Sequence, residues 1–327
     1  MTLSHPLSRP VERHLRSFGT HLPMAVGGEV ESLHQCRVAT RRLREVLPLC
    51  AAEVSPVITG RARRRLRHVG RALGPVREAD VALELVDRLS RRGVVPEAAG
   101  GHLRRHLLDE REEGREQMID RLRSVNTRKL ERDLADIARL LGMRQQTDAW
   151  ACTLATRMGS RAQRLREAIG VAGPLYIADR VHAVRIAAKK LRYSLEFAVE
   201  TREARVKGAV RQIKEVQETL GRLHDQDVLA TLVRDLTIPH ADQPWNGDLE
   251  DVRQWLEREC RELHGRYVAK QMLLLEICDA ATRAAEHVRT ERGGRILGEQ
   301  RVPHAGRVLK MRLDESRTSD QAARRGH

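Results

Sequence analysis

Aromatic side chains are scarce: three Trp, three Tyr and two Phe make up 2% of 327 residues. Strands draw on alternating aromatic and β-branched residues, whereas this chain is dominated by Leu, Ala, Val, Arg and Glu, a helical composition. The same shortage bears on ligands. Single-stranded nucleic-acid binders stack bases on aromatics set among cations, and no basic stretch here is interleaved in that way. The five cysteines, Cys36, Cys50, Cys152, Cys260 and Cys278, show no CxxC spacing. They read as reduced residues of a cytosolic protein, not as a disulfide framework. His34 and Cys36 lie two apart, which on a helix points them about 200° from each other, so no metal site is expected there. No signal peptide is read at the start and no apolar run reaches transmembrane length, so no membrane partner is expected.

Acids are outnumbered as well. Lys and Arg total 60 against 45 Asp and Glu, a formal net charge of +15. That excess favours polyanions, namely nucleic acid, an anionic membrane surface or an inorganic phosphate polymer. With so few rings for bases to stack on, a partner without bases gains weight.

What the chain carries twice is a basic helix. His34 to Leu49 reads HQCRVATRRLREVLPL and His182 to Phe197 reads HAVRIAAKKLRYSLEF, at an offset of 148 residues. The chain is therefore read as a doubled unit. On a helical wheel His34, Arg37, Arg41 and Arg44 share an arc of about 80°, opposite an apolar face that includes Cys36, Leu43 and Leu47. The second copy sets His182, Arg185, Lys189 and Arg192 against Val184, Leu191 and Leu195, and Arg42 and Lys190 flank the two arcs. A single stripe of this kind is usually a solvated face balanced by acids one turn away. Here Glu45 is the only acid in the first motif and the second has none before Glu196. Like charges one turn apart disfavour a helix by a few tenths of a kcal/mol per pair, so building such a stripe twice in register points to an anion received there.

A second motif also recurs. LGPVREADVALELVDRL from Leu73 is answered by LGRLHDQDVLATLVRDL from Leu220. Between the motifs each half has another basic helix. The first spans Pro56 to about Leu73 with Ser55 as its cap and carries Arg61, Arg64, Arg67, His68 and Arg71, before Gly74 and Pro75 break it. The second, Ala204 to Leu220, carries Lys207, Arg211 and Lys214. Further helices are expected at about Gly101–Arg123, with an exposed EREEGRE centre, and at Leu130–Leu141, Thr147–Ile169, Leu249–Leu263 and Gly265–Val288. The N-terminus holds at most a short helix around Val11–His21, and Pro239–Gly247 is a polar loop. The division is thus an N-terminal segment 1–19, a body 20–288 made of halves at about 20–142 and 147–288, and a basic tail 289–327 expected to be largely disordered.

If the two basic helices of each half lie side by side and the halves face one another about a pseudo-twofold axis, the cations converge. His34, Arg37, Arg41, Arg44, Arg64 and Arg67 then meet His182, Arg185, Lys189, Arg192, Arg211 and Lys214 in a cleft of focused positive potential. Arg offers a planar fork to phosphate oxygens and Lys a point charge. A linear phosphate polymer presents charge without readable edges, and its affinity for such a cleft falls steeply with salt. Glu78, Asp80, Asp225 and Asp227 keep two readings: helix-start caps or dipole partners, the commoner case, or ion-pair partners that orient cations or hold a bridging divalent ion. His34 and His182 are either buried hydrogen-bonded imidazoles or anion contacts, the latter favoured as pH falls through about 6.5.

The segments HQCRVATRRLRE, LGPVREADV, HAVRIAAKKLRYSLEF and LGRLHDQDV resemble the CHAD family, the conserved histidine α-helical domain, over about residues 20 to 288. The resemblance implies an all-α fold of two four-helix bundles with pseudo-twofold symmetry from an internal duplication. It also implies binding of inorganic polyphosphate in a basic central cleft, and association with polyphosphate granules in the bacterial cytoplasm. Carried over by position, His34, Arg37, Arg41, Arg42 and Arg44 with His182, Arg185, Lys189, Lys190 and Arg192 are the implied ligand contacts. Glu78 departs from the Asp common in the family, and Arg77 stands opposite His224. The ExExK motif of the CYTH triphosphatase domain often fused to this family has no counterpart, since Glu29, Val30 and Glu31 are followed by Leu33 where Lys is required.

The expectation is a polyphosphate-binding module without catalysis, cofactor or metal. Two other classes remain: a phosphohydrolase or polyphosphate kinase using Asp225 and Asp227 with Mg²⁺, though no P-loop is present, and a nucleic-acid or scaffold protein binding through its basic tail.

Overall fold

The computed structural model describes residues 5–143, 147–237 and 245–299, and among them are eleven helices and no strand. The helices are α1 (Ser8–Val26), α2 (Val30–Cys50), α3 (Pro56–Ala72), α4 (Gly74–Arg91), α5 (Glu97–Arg123), α6 (Thr127–Met143), α7 (Ala149–Ala172), α8 (Ala178–Glu200), α9 (Lys207–Thr237), α10 (Asn246–Val268) and α11 (Gln271–Glu299).

Helix α1 is longer than its prolines led us to expect. Pro10 falls in its first turn, where a missing N–H costs little, the helix continues past Pro23 to Val26, and Val11, Phe18 and Leu22 are buried. Residues 8–19 therefore belong to the folded body, a correction to the boundary at 20. The two basic helices are entered alike: Gly28 (φ +96°) turns the chain before α2 and Gly173 (φ +61°) before α8, backbone that a residue with a Cβ rarely adopts. Ser55 precedes α3 as expected but its side chain makes no capping bond; its carbonyl accepts the Thr59 hydroxyl at 2.8 Å.

The halves differ at the second motif. Pro75 has no N–H to give, so α3 stops at Ala72 and α4 starts afresh at Gly74. Arg222 occupies the matching place in LGRLHDQDV, and there α9 runs unbroken for 31 residues. The expected end at Leu220 is thus overturned. Similarly, α10 passes through Gly265 to Val268, and α11 extends to Glu299 into the segment read as tail; residues 300–327 of that tail, and most of the expected loop at 239–247, lie outside the described residues. The EREEGRE centre of α5 is not wholly exposed either. A Cβ at Gly114 would sit in van der Waals contact with Pro75, 3.5 Å away, so α5 lies close against the start of α4, and Arg111 bonds the buried Asp80 at 2.7 Å.

Helices α1, α2, α3 and α6 pack in a closed four-helix ring, and α7, α8, the first half of α9 and α11 pack in the same order. Their apolar faces merge into one core containing Phe18, Leu43, Leu66, Trp150, Leu191 and Ile213. A second, smaller core joins the α4–α5 hairpin to the end of α9 and α10 through Leu85, Leu103, Leu229 and Leu256. Each fully buried Leu or Ile adds about 1.5–3 kcal/mol, so the halves are held by shared cores and not by a tether. Glu53 in the α2–α3 turn adds a polar tie, accepting the Thr147 hydroxyl at 2.6 Å and the Trp150 backbone N–H at 3.1 Å beside His5.

Candidate functional site

Because the apolar faces of α2 and α8 enter the core, their opposite faces are forced outward from each bundle and toward one another. Arg37 and Arg41 of α2 then lie close to Arg185, Lys189 and Arg192 of α8. The consequence is visible in the charge of Lys189: burial first, then the neighbouring Arg41, Arg185, Arg192 and Arg37 guanidiniums, pull its ammonium down to about 7. Burial likewise lowers Arg37, Arg41 and Arg185.

Among the described residues no carboxylate lies within salt-bridge distance of Arg37, Arg41, Arg185 or Lys189, and the one hydrogen bond among them is a long one, Arg37 to the Gly70 carbonyl at 3.4 Å. Arg41 Nε is buried without a partner. A half-buried cation without a counterion is costly, and the lowered Lys189 ammonium reflects that cost.

Their neighbours are neutralised. Glu196 receives Arg42 at 2.5 Å, Arg192 at 2.8 Å and Lys214 at 3.7 Å, so these three cations reach the site through a shared carboxylate. Glu45 binds Arg157 at 3.0 Å and Arg161 more closely, both from α7. Arg44 stands apart from the central four, lowered by burial and, among its other neighbours, by Arg67, Arg63 and Arg71. Arg64 and Arg211 are exposed, and neither has an ion pair among the described residues. Lys190 is exposed on the far side, bordering a cavity of about 300 Å³ between α7 and α8. The expected twelve-residue convergence is thus a narrower group of four with flanking pairs.

The histidines occupy the cleft unequally. His182 Nδ1 is 3.2 Å from His224 Nδ1, and burial followed by Arg185, His182 and Lys189 lowers His224 to about 4. His34 has Arg77 in the place of a second imidazole, and it too is lowered, chiefly by burial and then by Arg77. The acids are not helix-start caps in the second half: Asp225 and Asp227 lie within α9 because that helix does not break. Burial raises the Asp225 carboxyl against the pull of Arg185 and Lys189, and Asp227 accepts the Tyr176 hydroxyl at 2.9 Å. Asp80 is held by Arg111. Among the described residues no group of three His, Cys, Asp or Glu is gathered to hold a metal ion.

A family model described as the CHAD domain matches residues 10–234. The chain belongs to the CHAD family. Among solved structures, this CHAD chain is similar to the CHAD domain from the plant Ricinus communis, with a TM-score of 0.54, 21% identity, and 88% of this chain and 93% of that one covered. It is also similar to PptA from Streptomyces chartreusis, with a TM-score of 0.54, 18% identity and coverages of 87% and 100%. Both likenesses show the CHAD fold. No curated protein matches the chain.

Sequence reasoning passed over two residues that shape this CHAD cleft, Tyr193 and Glu196. Tyr193 is buried at 3% exposure, and the guanidinium carbons of Arg42, Arg192 and Arg41 lie 4.8, 5.0 and 5.5 Å from its ring centre. Tyr193 falls at the repeat position that Glu45 fills in the first copy, and both bind cations of the other half. That one place in the repeat, where the copies exchange an acid for a ring, was the available signal.

Proposed function

We propose that the cleft between α2 and α8 binds inorganic polyphosphate, without catalysis. The observation that carries this reading is the group Arg37, Arg41, Arg185 and Lys189, brought together from both halves and left without carboxylate partners among the described residues. A chain of phosphates supplies one negative charge per unit along a path, which suits cations spaced by helical turns. Nucleic acid fits less well. Five of the eight aromatic residues are buried, and of the three part-exposed ones Trp245 stacks on His102 and Trp255 lies under Arg92, which leaves few faces for stacked bases. The family resemblance supports the same ligand, and it extends the reading to association with polyphosphate granules.

The test is competition at physiological salt among long-chain polyphosphate, duplex DNA and single-stranded RNA. The reading expects polyphosphate to be retained when either nucleic acid is in excess; equal or tighter nucleic-acid binding overturns it. Incubation of bound polyphosphate with and without Mg²⁺ should release no phosphate.

A further inference from the structure

The α9 stripe does not end in the cleft. Lys207, Arg211 and Lys214 share an arc of about 60° on α9. Lys214 stands 3.7 Å from Glu196, at the edge of the cleft beside Arg192. Lys207, seven residues away and therefore about 10 Å along the helix, borders a cavity of about 700 Å³ at the α8–α9 turn. A second cavity of about 700 Å³ opens from the same turn toward α11, and Arg202 and Arg205 line both. Arg283 of α11 closes the far wall over a floor that includes Ala204, Ala280 and Ala284.

The charge of this place follows the logic of the cleft. Among the described residues no carboxylate pairs with Arg202, Arg205, Lys207 or Arg283, since the acids that line the same cavities, Glu200, Glu203 and Glu291, have other partners. Glu200 holds Arg13 at 2.7 Å, Glu203 holds Arg292 at 2.9 Å and Glu291 holds His287 at 3.2 Å. Arg202 is also the one described non-glycine residue with positive φ, +60°, so the turn presents its cations in a strained conformation. The matching turn of the first half, from Ala51 to Ser55, contains no cation. The feature is one-sided and is not a product of the repeat.

We propose that the Arg202–Arg205–Arg283 cavity is a second station for a phosphate chain, reached from the cleft along Lys214, Arg211 and Lys207, so that long chains are held at two places and short ones at one. This rests on the polyphosphate reading of the cleft. Linking two contacts through one ligand makes the second intramolecular, and such linkage raises avidity by about 10²–10⁴ where the geometry permits both.

The experiment uses the full chain and compares long-chain polyphosphate with tripolyphosphate. In the double variant R205A/R283A, which removes two exposed and unpaired side chains, long-chain affinity should fall at least tenfold while tripolyphosphate affinity is unchanged; R205K/R283K should retain long-chain binding. Long-chain affinity equal to that of the wild type overturns the second station. A parallel fall for both ligands also overturns it, since the two cations then act only through the general field. If the wild-type chain retains no long-chain polyphosphate, the cleft reading itself fails, and the station with it.

Discussion

The Arg41 guanidinium carbon of α2 stands 5.5 Å from the centre of the Tyr193 ring of α8. A ring face attracts a cation by about 0.5–2 kcal/mol without consuming its N–H donors. Tyr193 therefore does what a carboxylate would do for position and leaves the charge free for a ligand. Replacing it by Phe should preserve binding of polyphosphate, whereas Tyr193→Leu should weaken binding severalfold; filter retention of labelled polymer distinguishes the two.

Glu196 has the opposite effect, since it neutralises Arg42, Arg192 and Lys214. Glu196→Gln should release three cations to the cleft. Affinity for polyphosphate is expected to rise severalfold while the apo chain loses about 3 kcal/mol, the usual cost of breaking a buried pair. Isothermal titration and urea denaturation of the same variant should move in these opposed directions.

Lys189 links pH to stability. Its ammonium is held at about 7 in the folded chain against an ordinary value of 10.5, so between those values the unfolded chain binds a proton that the folded chain does not. Stability contributed through this group is therefore low below pH 7 and rises with pH above it. The buried Cys36 thiol, pushed up to about 12, acts in the other sense above its ordinary 9, which leaves pH 7 to 9 as the clear window. Thermal melts across that window should show wild-type stability rising, and Lys189→Met should flatten the rise and melt higher at pH 7.

Glu45 ties the halves. With Arg157 and Arg161 as its partners and little exposure, Glu45→Ala should cost about 3 kcal/mol in chemical denaturation. A loss comparable to that of an exposed pair, under about 1 kcal/mol, is inconsistent with this role.

Much of this was legible in the chain. The arcs of α2 and α8 follow from periodicity, and α3 starts at Pro56 where the sequence places it. Other features depended on tertiary context. Helix α9 continues past Leu220 because Arg222 retains the N–H that Pro75 lacks, and that small chemical difference was hidden by the likeness of the two motifs. The narrowing of the site to Arg37, Arg41, Arg185 and Lys189 depended on which carboxylates reach which cations across the halves. Glu196 lies four residues from Arg192 in sequence, yet its short contact to Arg42 arises only when α2 and α8 meet.

The central claim is that those four unpaired cations form the ligand site. Its direct measure is the affinity of long-chain polyphosphate for the R37A/R41A/R185A/K189A chain beside a control, R128A/K129A, that removes two exposed cations of α6. The account predicts that the quadruple variant keeps its helicity and melts no lower than the wild type but loses capture, while the control binds as the wild type does. Retained capture by the folded quadruple variant contradicts the account.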